Sequence, residues 1–159
     1  MNISIRPLIE EDAYISYKWR NDSEVFKYTG NTYKNEITLE SELQWIREVI
    51  NRKDEYRCAI LVENNYVGNI YLTDINNDSA IYHIFIGNRA YWGKGVAKIA
   101  SGLIIDYAFN ILNVRTIYLR VHRNNHRALS LYKSLGFKYV SEDKNFYKMN
   151  LVNSKNKET

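Results

Sequence analysis

Apolar residues recur along this chain with two different periods. Leu39, Leu43, Ile46, Val49 and Ile50 fall at helical spacing, with Thr38 ahead of them as a cap and Glu40 and Glu42 in the first turn. Val96, Ile99, Ala100, Leu103, Ile104, Tyr107 and Ala108 form a second broad apolar face and predict a helix from Gly95 to about Ile111. Glu10, Glu11 and Asp12 favour a helix N-terminus and predict a first helix running through Trp19. A fourth helix is expected over 125–135, ended by Gly136. Shorter apolar runs predict strands at 3–8, 56–63, 66–72, 80–86, 116–121, 137–142 and 146–151. Asn64-Asn65 suits a tight hairpin between the second and third of these, because Asn tolerates positive φ. Residues 20–37 show no clear period and read as a long functional loop or a broken helix. The order β-α-α-β-β-β-α-β-α-β-β predicts an α/β domain over residues 1–151, a mixed sheet flanked by helices, with a polar, disordered tail at 152–159.

Composition narrows the function classes. A chain of 159 residues with 45% hydrophobic content suits one domain with a sizeable core. The single cysteine, Cys58, allows no intramolecular disulfide and lies in an apolar run, where it reads as a small core residue. The N-terminus has no apolar signal-peptide core, and no segment approaches the ~18 apolar residues of a membrane span, so a soluble, cytoplasmic protein without a membrane partner is expected. The net charge of +4 admits a phosphorylated ligand or nucleic acid. Lysines and arginines are scattered, without a basic run, which disfavours nucleic acid. The pattern is compatible with a monomer or a homo-oligomer.

Tyr91-Trp92-Gly93-Lys94-Gly95-Val96-Ala97 joins a strand to a helix start. Helix N-termini present unpaired backbone N–H groups that favour an anion, and glycines leave no Cβ between those amides and a ligand. The spacing is neither a P-loop nor G-x-G-x-x-G. The segment resembles the acetyl-CoA pyrophosphate motif of GNAT acetyltransferases, Arg/Gln-x-x-Gly-x-Gly/Ala, with Trp92 departing from the usual first position. Downstream, Asn125 to Phe137 resembles the same family's Asn-x-x-Ala-x-x-Leu-Tyr-x-x-x-Gly-Phe at every fixed position. With the N-terminal Ile5-Arg6-Pro7-Leu8, the resemblance spans nearly the whole chain.

The resemblance implies the GNAT fold, a mixed, mostly antiparallel sheet of about six to seven strands with about four helices, and an acetyl-CoA-dependent N-acetyltransferase. It implies coenzyme A contacts from the strand residues Ile84, Phe85 and Ile86, from Trp92, Gly93, Lys94, Gly95, Val96 and Ala97, and from Asn125, which by itself also reads as a helix cap. Tyr132, by its place in the chain alone open to reading as core packing, becomes the expected general acid to the departing thiolate. Many relatives carry a base Glu on the strand before the glycine turn; here the comparable position holds Ile81. His83 lies two residues on and shares that strand face, where it reads either as the base or as a structural histidine. His122 and His126 fall on a strand end and a helix start, so no metal is expected. The acceptor is expected near Trp19, Arg20, Asn21, Glu24, Tyr28 and Tyr33, where carboxylates suit an amine and aromatic rings suit a sugar. The opening Trp19-Arg20-Asn21 resembles amino-sugar nucleotide acetyltransferases and, less closely, spermidine and ribosomal-protein acetyltransferases. A nucleotide-linked amino sugar is the leading expectation, with polyamines, protein N-termini or a non-catalytic coenzyme A-binding module as alternatives.

Overall fold

The computed structural model describes residues 1–28 and 36–155. Seven strands form one sheet in the order β1-β2-β3-β4-β5-β7-β6: β1 Ile3–Pro7, β2 Tyr56–Val62, β3 Asn65–Thr73, β4 Ser79–Ile86, β5 Thr116–His122, β6 Lys138–Glu142 and β7 Phe146–Val152. Four α-helices accompany them: α1 Ala13–Arg20, α2 Leu39–Val49, α3 Val96–Asn110 and α4 His126–Ser134. Neighbouring strands run antiparallel except β4 and β5. That one parallel pairing is confined to Ser79↔Thr116, Ala80↔Ile117 and Ile81↔Tyr118. Beyond it β4 continues to Ile86 and β5 to His122 without pairing, so the sheet opens into a V.

The helices cover the two faces separately. Val96, Ala100, Ile104 and Ala108 of α3 and Tyr132 of α4 pack on Ile60, Ile70, Leu72, Ile117 and Leu119 in the main core. Ala13 of α1 and Ile46 of α2 meet Ala59 on the other face of β2 in a smaller cluster. Cys58 is fully buried in the main core, and burial pushes its thiol up to about 11. Among the described residues no helix is long and apolar enough to cross a membrane.

Local signals land where the sequence places them. The Thr38 hydroxyl accepts from the Ser41 N–H at 3.0 Å and caps α2. Gly136 follows α4 with φ +98°.

Three expectations shift. The β2–β3 turn lies at Glu63 and Asn64, both at positive φ, one residue earlier than Asn64-Asn65. The buried face of α3 is rotated: Ile99 and Leu103 are exposed, while Ser101 is buried because the Tyr82 hydroxyl satisfies its hydroxyl at 2.5 Å. The expected tail is ordered at its start. Val152 closes β7, and Asn153 is buried, donating its backbone N–H to Arg115 O at 2.8 Å and its amide to Val114 O at 3.3 Å. Residues 156–159 of the expected tail lie outside the described residues.

Candidate active site

The V between β4 and β5 leaves the strand segments 82–86 and 119–122 facing a gap. At its wide end the chain leaves β4, makes a short turn over Arg89–Tyr91 and enters α3. Gly93 and Gly95 hold φ of +72° and +82°, and a Cβ on either would meet nothing within 4 Å. The turn is therefore open to a ligand, and Gly95, as N-cap without a side chain, leaves the first α3 amides uncapped. Trp92, the departure from the family motif, has its own task here: its indole N–H donates to Ile86 O at 2.8 Å and ties the turn to the end of β4. Ile84 and Ile86 pack on the main core, whereas Phe85 points to the other face against Trp19 and Phe26. Lys94 is exposed, Val96 buried and Ala97 half-buried at the start of α3. Asn125 caps α4, accepting from the Ala128 N–H at 3.3 Å.

Tyr132 and His83 lie on opposite sides of β4. Tyr132 is buried and meets Tyr82 edge-on at 5.7 Å. Burial, with Tyr71 adding to it, raises the Tyr132 phenol above its ordinary value, so the O–H keeps its proton. His83 faces the α1–α2 side, where its ring stacks on Tyr71 at 4.7 Å and its Nε2 shares a 2.9 Å hydrogen bond with the Thr73 hydroxyl. Burial, and then the charge of Arg57, push the imidazole down to about 4. His83 is thus neutral near pH 7. Storing an amine proton there, against an amine of pKa about 8, would cost about 5 kcal/mol.

The His83 ring ends a stack drawn from five elements. The Arg20 guanidinium lies 4.4 Å from the Trp45 ring centre, Arg57 lies 5.0 Å from that same ring and 4.2 Å from Tyr71, and Tyr71 covers His83. Each cation has a carboxylate: Glu42 lies 3.3 Å from Arg20, and Glu55 lies 2.8 Å from Arg57. Glu42 is almost wholly buried and also accepts from the Ser16 hydroxyl at 2.9 Å. Burial outweighs both partners and raises its carboxyl above the usual range.

The expected acceptor residues separate into two groups. Trp19 is buried against Tyr66 and so close to Gly87 that a Cβ there would lie 1.9 Å from its ring, and Arg20 belongs to the stack. Asn21 clamps the chain: its amide donates to Ile37 O and accepts from Ile37 N–H, both at 2.7 Å. Phe26 lies on Phe85 of β4 and Tyr28 on His122 of β5, so this short stretch reaches both arms of the V. Glu24 is exposed, and its backbone N–H donates to Asp22. Tyr33 lies outside the described residues.

Sequence reasoning missed Trp45, Arg57 and Tyr71, because the contacts that make them a unit cross three elements. It also missed the fork in which Arg89 donates to both Asp22 carboxylate oxygens at 2.8 Å and joins the acceptor side to the glycine turn. No local pattern signals such a pairing across 67 residues.

The chain is similar to acetyltransferases along nearly its whole length. It is 29% identical to spermidine N(1)-acetyltransferase of Escherichia coli K12 over 143 residues, covering 89% of this chain and 75% of that one. It is 27% identical to acetyltransferase PseH of Campylobacter jejuni over 140 residues, 88% of this chain and 85% of that one. The crystal structure of C. jejuni PseH with acetyl coenzyme A superposes with a TM-score of 0.76 at 25% identity, over 96% of this chain and 100% of that chain. The spermidine N-acetyltransferase of Vibrio cholerae with CoA and spermine gives 0.86 at 25%, over 96% of each. The model of the acetyltransferase (GNAT) domain matches residues 2–138, and with that match, the V-shaped sheet and the glycine turn together, the chain belongs to the GNAT family of acetyl-CoA-dependent N-acetyltransferases.

Proposed function

We propose that this enzyme acetylates the primary amine of a nucleotide-linked amino sugar. The observation that carries the reading is the charge on the acceptor side. The two carboxylates nearest His83 through the stack, the buried Glu42 and the half-buried Glu55, are each engaged by an arginine, and β4 itself carries no acidic residue. A polyamine arrives with several positive charges and needs unengaged carboxylates to replace its water. An amino sugar on a phosphorylated carrier brings a single amine and a net negative charge, and so does not call for unengaged carboxylates beside His83.

Acetyl-CoA supplies the thioester that the amine attacks. In this reading the amides at 92–97 hold its pyrophosphate, and the segment 82–86 of β4 lines its arm. Tyr132, protonated because it is buried, donates a hydrogen bond to the sulfur as negative charge develops there. Free thiols titrate near ~8.5, below an ordinary tyrosine at ~10, so a hydrogen bond is favoured over full proton transfer. His83 orients the incoming amine or its water and relays the amine's proton to solvent water without keeping it. An amine of pKa near ~8 loses its proton at pH 7 for about 1 kcal/mol, which makes that relay sufficient.

Similarity to spermidine N(1)-acetyltransferase favours polyamines as the second reading. Coenzyme A release, followed over UDP- and dTDP-linked amino sugars, spermidine, spermine and peptides, tests both. The highest kcat/KM is expected for a nucleotide-linked sugar; faster turnover of spermidine would replace the first reading with the second.

A further inference from the structure

Beyond the V, β5 and β7 present a face that the chemistry above does not use. Tyr118, Arg120 and His122 alternate with the buried Ile117, Leu119 and Val121, so they share the face opposite α3 and α4. From β7, Asn150, Lys148 and Phe146 stand directly opposite them. Arg120 and Lys148 are thus cross-strand partners, and both are exposed. Like charges placed directly opposite are destabilising. The fold matches this pair only weakly: among the described residues the acid in contact is Asp143, 3.5 Å from Arg120, with both side chains 60% exposed. Such a loose pair contributes little. The Asp143 carboxylate is moreover engaged by the N–H groups of Asn145 and Phe146 at 3.0 and 2.9 Å.

The two cations are held in place by aromatic rings. The Arg120 guanidinium lies 3.6 Å from the Phe146 ring centre, and the Lys148 ammonium lies 4.6 Å from that of Tyr118. Stacking uses the flat face of a guanidinium and leaves its N–H edge, here only loosely shared with Asp143, to meet two oxygens of one phosphate. The face is also continuous with the mouth of the V. Tyr118 pairs with Ile81 at the closed end, His122 touches Tyr28, and Phe146 meets His122 edge-on at 5.2 Å. Arg120 lies two residues from Tyr118, about 7 Å along the strand.

We infer that Arg120 and Lys148 form a subsite for the diphosphate of a nucleotide-linked acceptor, laying it along β5 and β7 while its amine enters the V. The inference rests on the acceptor reading above and names where that acceptor is recognised. Coenzyme A also carries a pyrophosphate, but the open amides for it lie at the other arm, beyond β4. The face therefore serves the acceptor alone.

The test compares the parent with an Arg120→Gln/Lys148→Gln double variant, chosen because both side chains are exposed and their loss leaves the core intact. Calorimetry with UDP and with inorganic pyrophosphate reads binding without turnover. Kinetics read KM for a UDP-linked amino sugar, for the same sugar without nucleotide, and for acetyl-CoA. The expected result is a Kd for UDP and a KM for the UDP-sugar raised about tenfold or more, with KM for acetyl-CoA and for the free sugar unchanged. Equal UDP binding by parent and variant overturns the subsite. So does a variant that loses a self-association which the parent shows in sedimentation, since the face would then meet a second copy of the chain. The two readings fail separately. A parent that binds UDP through these residues yet acetylates no nucleotide-linked sugar keeps the subsite and loses the acceptor; unchanged UDP-sugar kinetics in the variant do the reverse.

Discussion

Burial acts on Tyr132 and His83 in opposite senses because their charged forms carry opposite signs. The phenolate is the disfavoured form of one and the imidazolium of the other, so each is held neutral, one as a donor and the other as an acceptor. Removing the Tyr132 hydroxyl while keeping its ring against Tyr82 isolates the donor. Tyr132→Phe is expected to lower kcat by about a hundredfold or more and to leave KM for acetyl-CoA in place, in steady-state kinetics at pH 7.5. For His83 the depressed pKa is also a stability statement. The unfolded imidazole titrates near ~6.5 and the folded one near 4, so between these values the unfolded chain binds more protons. The contribution is complete above pH 6.5 and is lost as the pH falls through 4, by about 3 kcal/mol in all. Urea unfolding of the parent and of His83→Asn, measured between pH 7 and 4, is expected to show this loss in the parent alone. Glu42, whose raised pKa works in the opposite direction, is common to both and cancels in the difference.

Elements were legible where a short motif decides them. Thr38 caps α2, Gly95 starts α3 and Gly136 stops α4, because each answers to backbone groups within four residues. The β2–β3 turn slipped by one residue: Asn64 takes positive φ as its chemistry invites, but Glu63 shares that conformation in place of Asn65. The face of α3 was misread because a serine looks exposed from sequence, and only the fold brings the Tyr82 hydroxyl to it. The glycine turn yields the prediction of this scale. Gly95→Val puts a β-branched residue at φ +82° and a side chain where the ligand must approach. The thermal shift produced by acetyl-CoA is expected to vanish in this variant and to persist in Lys94→Ala, by differential scanning fluorimetry.

At the scale of the molecule, the order of elements was readable, and with it the class of chemistry. The arrangement around His83 was not. Arg20, Trp45, Arg57, Tyr71 and His83 come from α1, α2, β2, β3 and β4, and no window of sequence contains two of them at a telling spacing. Trp19, expected near the acceptor, is packed on Gly87 and Tyr66, and Arg20 lies on Trp45, placements that only the folded sheet and helices reveal. Asn21 lies beside them and has a different reach. By pairing the NH2 and the C=O of its side-chain amide with the backbone of Ile37, it seals the connection between α1 and α2 at its base, sixteen residues apart along the chain. The clamp therefore fixes both ends of the connection, while Asp22, Phe26 and Tyr28 tie its first part to Arg89, Phe85 and His122. Opening the clamp with Asn21→Ala would thus free the start of α2 from the end of α1 while leaving the contacts at Arg89, Phe85 and His122 to hold the first part of the connection on the two arms of the V.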